Sequence, residues 1–285
     1  MNWALRGKRV VITGATSGIG KQAAIAFSDQ GAEVIALARD AQKCEALKSE
    51  IGSRDKNANV QTFVVDLSDM AQVRDVATRI ESSFDRIDVL VNNAGGVFTH
   101  REESADGFEM TFALNHLSYF LLTNRLLPLV IRAQQARIVN VASEAHRMID
   151  GMRWDDLQMR DAFTRRGWDA YCQSKLANIL FTYELSRRLK EKHVTVNCLH
   201  PGFVRTGLGK NNGLLAKIVI PLLAPFARSP QKGAETTVWA ASSAELSNET
   251  GRYLMDSKIS RSSEVTADQE SWTRLWRISE ELVGD

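Results

Sequence analysis

Cysteine is scarce in this sequence. The 285 residues include three cysteines, at positions 44, 172 and 198, and these are widely separated. An odd number at such spacing fits neither a disulfide framework nor a tetrahedral metal site. We therefore expect a reducing, cytoplasmic setting and no bound metal.

A charge excess and a long hydrophobic run are also missing. Lys and Arg number 36 against 34 Asp and Glu, which leaves a formal net charge of +2 and no electrostatic basis for a nucleic-acid partner. The most apolar stretch, residues 213–227, is interrupted by Lys217, Pro221 and Pro225. It is shorter than the about 18 apolar residues of a membrane helix. The N-terminal residues lead directly into a strand pattern, so we expect neither a membrane span nor a signal peptide.

The sequence does contain a regular alternation of short, β-branched apolar runs and longer helical patterns. The runs are typical of strands buried on both faces, and the segments between them are long enough for crossover helices. This pattern predicts an α/β fold, a single doubly wound (Rossmann) domain with a mainly parallel sheet of seven strands and helices on both faces. The predicted strands span residues 9–14, 33–39, 60–67, 87–95, 136–143, 193–202 and 251–255, and a first helix spans 19–30.

The first predicted strand is followed by TGATSGIG, residues 13–20, which opens the first helix. Gly14 permits a tight turn, Gly18 lets the backbone approach a pyrophosphate, and Gly20 allows close packing of the helix. The helix N-terminus adds N–H donors and a partial positive charge for the phosphate. The predicted dinucleotide-binding residues of this loop are Gly14, Thr16, Ser17, Gly18, Ile19 and Gly20.

The end of the second strand bears on the choice of dinucleotide. Sites for NAD usually have an acidic residue there, which takes the ribose 2′-hydroxyl. This sequence has Ala38 followed by Arg39. Because a guanidinium pairs with a 2′-phosphate that a carboxylate would repel, Arg39 favours NADP(H) over NAD(H). An arginine on a solvated strand end is the alternative.

A tyrosine and a lysine stand four positions apart in WDAYCQSKLANILF, residues 168–181. On a helix Tyr171 and Lys175 share one face, but the pair alone does not distinguish a catalytic helix from a core helix with two polar residues. Four further segments accompany it: NNAG at 92–95, Asn115 in FALNHLSYF, Ser143 in IVNVAS, and PGFVRT at 201–206. Together with TGATSGIG, this ordered set resembles the short-chain dehydrogenase/reductase family over nearly the whole chain.

Within that family the sequence resembles the retinol dehydrogenase-like members. The stretches AYCQSKLANILFTYELSRRL, VNVASEAH, SPQKGAETTVWAA and SWTRLWRISEEL support this resemblance. Ser143 and Tyr171 are 28 positions apart, and those members have an insert between the two motifs, here RMIDGMRWDDLQMRDAFTRRGWD. Many animal retinol dehydrogenases also have a membrane-anchoring segment, and we expect none here. A relative acting on another lipophilic alcohol or carbonyl is therefore an equal expectation.

The resemblance implies hydride transfer between NADP(H) and an alcohol or carbonyl carbon. Tyr171 would act as base in oxidation and as acid in reduction, its pKa lowered in part by Lys175 one turn along and in part by the positive nicotinamide of the oxidised cofactor. Ser143 would hydrogen-bond the substrate oxygen, and Asn115 would bind a water that leads from Lys175 to solvent, or would bend its helix. Tyr171 and Lys175 would also contact the cofactor, Lys175 through the nicotinamide ribose.

The resemblance implies further cofactor residues at the strand ends. These are Asp66 and Leu67 beside the adenine, Asn93, Ala94 and Gly95 at the fourth strand, and Pro201, Val204 and Thr206 after the sixth. Among the neighbouring polar residues, we expect Ser174 to pack in the core and His200 to fix the backbone. His146 and Glu144 either contact substrate or support their loop.

Residues 207–230 are rich in Leu, Ile and Pro. We expect them to form an apolar lid over a lipophilic small-molecule substrate, or else to complete the core or an oligomer interface. The resemblance also implies a homodimer or homotetramer, assembled through the helices after strands four and five. Two other functions stay open: a differently specialised relative, such as a protochlorophyllide- or quinone-type reductase, and a non-catalytic NADPH-binding sensor. The joint presence of Ser143, Tyr171 and Lys175 argues against the sensor.

Overall fold

A computed structural model describes residues 4–203 and 228–284 of the protein. Its strands, in chain order, are β1 (Arg9–Thr13), β2 (Glu33–Ala38), β3 (Val60–Val64), β4 (Val89–Asn92), β5 (Ala136–Val141), β6 (Val194–His200), β7 (Tyr253–Met255) and β8 (Lys258–Ser260). They form one sheet in the order β3-β2-β1-β4-β5-β6-β7-β8. The pairs from β3 to β7 are parallel, and β8 is antiparallel to β7.

The helices are α1 (Gly18–Asp29), α2 (Ala41–Arg54), α3 (Met70–Ser83), α4 (Met110–Phe112), α5 (Ser118–Ile131), α6 (Trp168–Arg188), α7 (Pro230–Ser242) and α8 (Gln269–Val283). A π-helix, Ala113–Leu117, joins α4 to α5. Local sequence sets several starts, since Asp40, Asp69 and Asp268 accept backbone N–H bonds as N-caps of α2, α3 and α8. Of the helices within the described ranges, none combines the length and apolarity needed to cross a membrane.

The core lies in two layers, one on each face of the sheet. Val11 of β1 belongs to the layer that α3, α5, α6 and α8 cover, whereas Val10 and Ile12 belong to the layer under α1, α2 and α7. Successive residues of a strand point to opposite faces, so a strand covered on both sides needs apolar residues at every position. This explains the uninterrupted apolar runs of the sequence and confirms the doubly wound α/β fold.

The sheet has one strand more than the seven predicted. β8 is three residues long and pairs with β7 through a two-residue turn, Asp256–Ser257, in which both residues have positive φ (53° and 55°). Such a turn normally contains Asn or Gly, and Ile259 of β8 is 50% exposed. A short, exposed edge strand after an atypical turn has no periodic signal, so the count of seven was wrong by one.

Candidate active site

The sheet brings the predicted motifs to one edge. β2 and β3 lie on one side of β1, while β4, β5 and β6 continue on the other side. At such a reversal of strand order, the carboxyl ends of the strands border a crevice in which α/β proteins bind ligands. Gly14, Asn93, Ser143 and Pro201 follow β1, β4, β5 and β6 respectively.

The loop after β1 turns sharply and lies against the end of β4. Gly14 has a φ of 65°, and its N–H donates to Leu37 O. A side chain at position 20 would overlap Gly14 O and Asn93 Nδ2, so only glycine lets α1 begin this close to β4. Ser17 is the N-cap of α1 but makes no side-chain cap, and the first turn has no acidic residue. The helix N-terminus therefore retains N–H donors for an anion.

Three other residues of the predicted loop differ in backbone conformation and in burial. Gly18 begins α1 with a φ of 52°. Thr16 is half-buried, and Ile19 is buried and packs in the core layer under α1. The loop thus presents mainly backbone and small polar groups to the crevice.

Arg39 is exposed directly after β2. Within residues 4–203 and 228–284, its guanidinium has no ion pair or hydrogen bond. The adjacent Asp40 is already engaged, because its carboxylate accepts the Lys43 backbone N–H, and that bond is the main reason why the pKa of Asp40 is lowered. Arg39 is therefore the unengaged charged group at this strand end.

The other residues predicted to contact the adenosine or the nicotinamide lie at the ends of β3 and β6, and part of this set is outside the described residues. Asp66 Oδ1 accepts bonds from Ser68 N at 2.9 Å and Ser68 Oγ at 2.7 Å, and Leu67 is buried in the core. Pro201 is buried directly after β6. At the end of the predicted lid, Pro230 begins α7 instead. Val204, Thr206 and lid residues 207–227 lie outside the described residues.

The end of β4 connects the glycine loop to the Tyr–Lys helix. Asn93 Nδ2 donates to Thr13 O at 2.8 Å, and Ala94 N donates to Thr13 Oγ1 at 2.9 Å. A Cβ at Gly95 would lie 3.5 Å from Lys175 Nζ. Asn93 and Ala94 thus brace β4 against β1, and the atom that a Cβ at Gly95 would crowd is Asn115 Oδ1, at 3.1 Å.

Asn115 lies in the π-helix and is buried. Its Nδ2 donates to Gly96 O at 3.0 Å and to Ser174 Oγ at 2.9 Å, and its Oδ1 accepts from Gly96 N at 2.9 Å. Ser174 Oγ in turn donates to Tyr171 O at 2.8 Å. Ser174 is buried in the core, as expected, and its hydroxyl also joins Asn115 to the backbone of the tyrosine.

Ser143, Tyr171 and Lys175 come together at the end of β5. Ser143 Oγ accepts the Ala145 N–H at 3.2 Å, and Ser143 is also the neighbour that acts to lower the pKa of Tyr171. Lys175 Nζ donates to Val141 O at 3.0 Å and lies 5.6 Å from the Tyr171 ring centroid. Tyr171 is 7% exposed and Lys175 is 3% exposed. One turn of α6 thus places both side chains on a single buried site.

Burial dominates the ionisation of this pair. It raises the pKa of Tyr171 to about 12, although the hydrogen bond from Ser143 lowers it in part. It lowers the pKa of Lys175 to about 7. Desolvation disfavours the charged form of each group, so the polypeptide without cofactor keeps the phenol neutral. The expected lowering of the Tyr171 pKa by Lys175 together with an oxidised nicotinamide stays a prediction for the complex.

Two histidines support the loop that contains Ser143. His146 Nδ1 bonds Ser143 O at 2.6 Å, and His146 Nε2 accepts the Ser263 N–H at 3.0 Å. Both ring nitrogens are therefore used, so His146 supports the loop rather than contacting substrate. His200 Nδ1 accepts the Glu144 N–H at 3.2 Å, which confirms its backbone-fixing role. The Glu144 carboxylate accepts the Tyr253 hydroxyl at 2.6 Å.

The insert before α6 is fastened to that helix. Gln173 Oε1 accepts the Arg153 N–H at 2.9 Å, and its Nε2 donates to Leu157 O at 3.2 Å. Gly167, with a φ of 75°, is the N-cap of α6, and a side chain there would overlap Phe98 O of the loop after β4. These contacts fix the end of α6 from which Tyr171 projects.

Two buried polar features of the site were not predicted. The Tyr119 hydroxyl donates to Ala94 O at 2.8 Å. Asn92 Nδ2 donates to Thr123 Oγ1 at 2.9 Å and to Asn140 Oδ1 at 2.8 Å. Asparagine inside an apolar strand needs buried partners, so Asn92 and Asn140 were a signal in the sequence, whereas Tyr119 gave none.

Comparisons with known proteins agree with this geometry. A model of the short chain dehydrogenase family matches residues 8–152 and 161–214. Human retinol dehydrogenase 13 is 39% identical to this chain, and the match covers 98% of this chain and 85% of the human protein. The crystal structure of an uncharacterised protein from Mycobacterium paratuberculosis is 31% identical, covers 99% of this chain and 96% of its own, and has a TM-score of 0.78. An NAD(P)-dependent gluconate 5-dehydrogenase of Beutenbergia cavernae with bound NADP is 27% identical over 89% of this chain and 96% of its own, with a TM-score of 0.68. The chain therefore belongs to the short-chain dehydrogenase family and resembles its retinol dehydrogenase members.

Proposed function

We propose that this oxidoreductase transfers a hydride between NADP(H) and an alcohol or carbonyl carbon of a lipophilic small molecule. The observation that supports the proposal best is the convergence of Ser143, Tyr171 and Lys175 beside the glycine loop, with Asn115 bonded to the same helix. A hydroxyl donor, a phenol and an amine on one buried site are the groups that proton exchange with a substrate oxygen needs.

The crevice fits a dinucleotide. The backbone of residues 13–20 passes close to β4 because Gly20 has no side chain, and α1 presents N–H groups that the Ser17 side chain does not cap. These features suit a pyrophosphate. The exposed guanidinium of Arg39 suits a 2′-phosphate, which supports NADP(H). The Beutenbergia relative contains NADP, in agreement with this choice.

The bound nicotinamide supplies or accepts the hydride. In reduction, the Tyr171 hydroxyl gives its proton to the substrate oxygen, and Ser143 holds that oxygen by a hydrogen bond. With a pKa of about 12, the phenol is protonated at neutral pH and ready to act as an acid. Lys175 has a pKa of about 7, so its amine can exchange a proton with solvent near neutrality. The state of the polypeptide alone therefore suits carbonyl reduction.

Apolar groups around Tyr171 support a lipophilic substrate. The Trp168 ring lies 5.2 Å from the Tyr171 ring, and its Nε1 bonds Met148 Sδ at 3.3 Å. Val97, Ile149 and Trp168 pack against the buried cluster that contains the tyrosine, and Met148 is 57% exposed. An apolar wall beside a buried phenol favours a hydrophobic aldehyde, ketone or alcohol.

Assembly as a homodimer or homotetramer is part of the proposal. α8 packs across α6, and its Trp276 contacts Phe120 of α5 and Phe181 of α6. We expect subunits to pair through the helices after β4 and β5, α5 and α6, where α8 does not cover them. The molar mass in solution, measured by light scattering, tests this assembly.

The function is tested by initial rates with NADPH and with NADH against retinal, decanal, benzaldehyde and glyceraldehyde. We expect turnover that is faster with NADPH and with the apolar aldehydes than with glyceraldehyde. Tight NADPH binding without turnover of any carbonyl would contradict the enzymatic proposal and favour a sensor. Turnover confined to glyceraldehyde would contradict the lipophilic substrate alone.

A further inference from the structure

His116 is a buried polar residue that the proposed chemistry does not use. It follows Asn115 in the π-helix and is 0% exposed. Its ring centroid lies 5.0 Å from that of Phe112 and 6.2 Å from that of Phe181. Because an imidazole is polar on two sides, a place among aromatic rings requires partners for both nitrogens.

One partner comes from the C-terminal helix. His116 Nε2 lies 2.8 Å from Ser279 Oγ of α8, across 163 positions of the chain, and Ser279 is 0% exposed. Other helical serines, such as Ser82 and Ser242, donate to a carbonyl four residues earlier in their own helix. Within the described part of the chain, Ser279 instead directs its hydroxyl to the histidine.

The other partner lies on the Tyr–Lys helix. His116 Nδ1 and Asn178 Oδ1 are buried, and neither has a hydrogen bond of normal geometry among the residues that the structure describes. Burial lowers the pKa of His116 to about 3, and Asn178 opposes this as a hydrogen-bonding neighbour. The ring is therefore neutral. If the Ser279 hydroxyl donates to Nε2, the ring proton is on Nδ1, and Asn178 is the hydrogen-bonding neighbour available to it.

Both ends of this arrangement reach groups of the site. Asn178 Nδ2 donates to Val141 O at 3.4 Å, the same carbonyl that accepts Lys175 Nζ at 3.0 Å. On the other side, the π-helical turn of His116 directs Asn115 to Gly96. A π-helical turn is an uncommon, less favourable backbone form, so it needs side-chain contacts that hold it.

We propose that His116 is a positioning residue, which with Ser279 fixes the π-helical turn and thereby holds Asn115 on Gly96 and Lys175 on Val141. The C-terminal helix α8 is then part of the support of the site, although it contributes no group to the reaction. This proposal rests on the proposed function for its effect on rate, but its structural part is measurable without turnover.

The test compares Ser279→Ala, His116→Phe and the double variant. Ser279→Ala removes one hydroxyl, and His116→Phe keeps a ring among the aromatic residues while removing both nitrogens. Thr273→Ala is the matched control, because Thr273 is exposed on the same helix and donates to Gln269 O. The measurements are hydrogen–deuterium exchange of the Gly96 amide, kcat and KM with NADPH and decanal, and NADPH affinity from cofactor fluorescence.

We expect Ser279→Ala to speed exchange at Gly96 and to lower kcat about tenfold, with KM and NADPH affinity within about twofold. Because Ser279 acts through its bond to His116, adding Ser279→Ala to His116→Phe should cause little further loss, whereas independent packing effects would add. Thr273→Ala should match the wild type.

Unchanged Gly96 exchange and unchanged kcat in Ser279→Ala would overturn the proposal, and so would additive losses in the double variant. If the wild type turns over none of the carbonyls, the proposed function fails separately. Exchange at Gly96 then still decides the positioning role, since that amide is held by Asn115 Oδ1 with or without catalysis.

Discussion

The two sides of the crevice present different kinds of chemical group. On the loop half, formed by residues 13–20 and Arg39, the important groups are backbone amides, glycines and one exposed cation. On the side-chain half, formed by Asn115, Ser143, Tyr171 and Lys175, they are mostly buried polar side chains held by hydrogen bonds. The loop half depends on the missing side chains of its glycines, whereas the side-chain half depends on the polar atoms of its side chains.

This difference predicts which kind of substitution should disrupt each half. A backbone site is damaged by added atoms, because a methyl group at the wrong place moves the chain itself. A side-chain site is damaged by removed atoms, which leave the fold intact but delete a proton or a partner. Substitutions in the two halves should therefore separate cofactor binding from the chemical step.

The largest effect is expected for Gly20→Ala. The new methyl would overlap Gly14 O and Asn93 Nδ2, so α1 must shift away from β4 and lose its approach to a pyrophosphate. We expect NADPH binding to be undetectable and the protein to be destabilised by at least about 2 kcal/mol. Gly52→Ala is the matched control. Gly52 lies in α2 with open space around its Cα, so alanine there should stabilise by about 0.5–1 kcal/mol. Fluorescence titration and urea unfolding measure both; normal NADPH affinity in Gly20→Ala would contradict the close approach.

Tyr171→Phe should lower kcat about 1,000-fold while leaving NADPH affinity nearly unchanged, because it removes only the proton donor. Tyr183→Phe is the control on the same helix, where the hydroxyl bonds Ser262 Oγ at 2.7 Å away from the site. Steady-state rates and cofactor titration separate the two effects. Full activity in Tyr171→Phe would remove the tyrosine from the mechanism.

The fold and the strand-end motifs were predictable because both follow from local pattern. Parallel strands buried on two faces give continuous apolar runs, and the residues after such strands must meet at one sheet edge. β8 was missed because three half-exposed residues after the turn at Asp256–Ser257 have no pattern of their own.

The contacts that support the site were less predictable, since most are long-range. Ser174 lies in the recognised motif, but its bond to Asn115 depends on the π-helical turn, and the bond from His116 to Ser279 spans 163 positions. Nor did the sequence reveal how deeply Lys175 is buried. In the protein without cofactor, burial raises the pKa of Tyr171 and lowers that of Lys175, because desolvation disfavours the charged form of each group.

On the loop half, Arg39→Glu should reverse the cofactor preference rather than abolish binding. Loss of the guanidinium and repulsion of the 2′-phosphate should weaken NADPH binding about 10- to 100-fold, while NADH binding holds or improves. Arg132→Glu, at the exposed end of α5, makes the same change in net charge as a control. Dissociation constants for both cofactors test this. Equal weakening by the two variants would show a general electrostatic effect and not a contact at Arg39.

The last prediction concerns the side-chain half, where burial of an amine should lower stability in a pH-dependent way. Since the pKa of Lys175 falls from 10.5 to about 7 on folding, the unfolded chain binds one more proton than the folded chain between these values. Stability of the cofactor-free protein then rises with pH in this window by up to about 1.4 kcal/mol per pH unit, and the full penalty is present below pH 7.

Lys175→Met removes the titratable amine. At pH 7 the variant should therefore have a larger free energy of unfolding than the wild type, and this difference should shrink as the pH rises toward 9. Urea unfolding of the variant and the wild type at pH 7, 8 and 9 gives the difference in their free energies of unfolding. The titration of every other group contributes equally to both proteins and cancels in this difference. Lys56→Met, at an exposed position, should show a difference that does not change with pH. A constant difference for Lys175→Met would mean that the amine is not desolvated, and the contrast between an open loop half and a buried side-chain half would then not extend to Lys175.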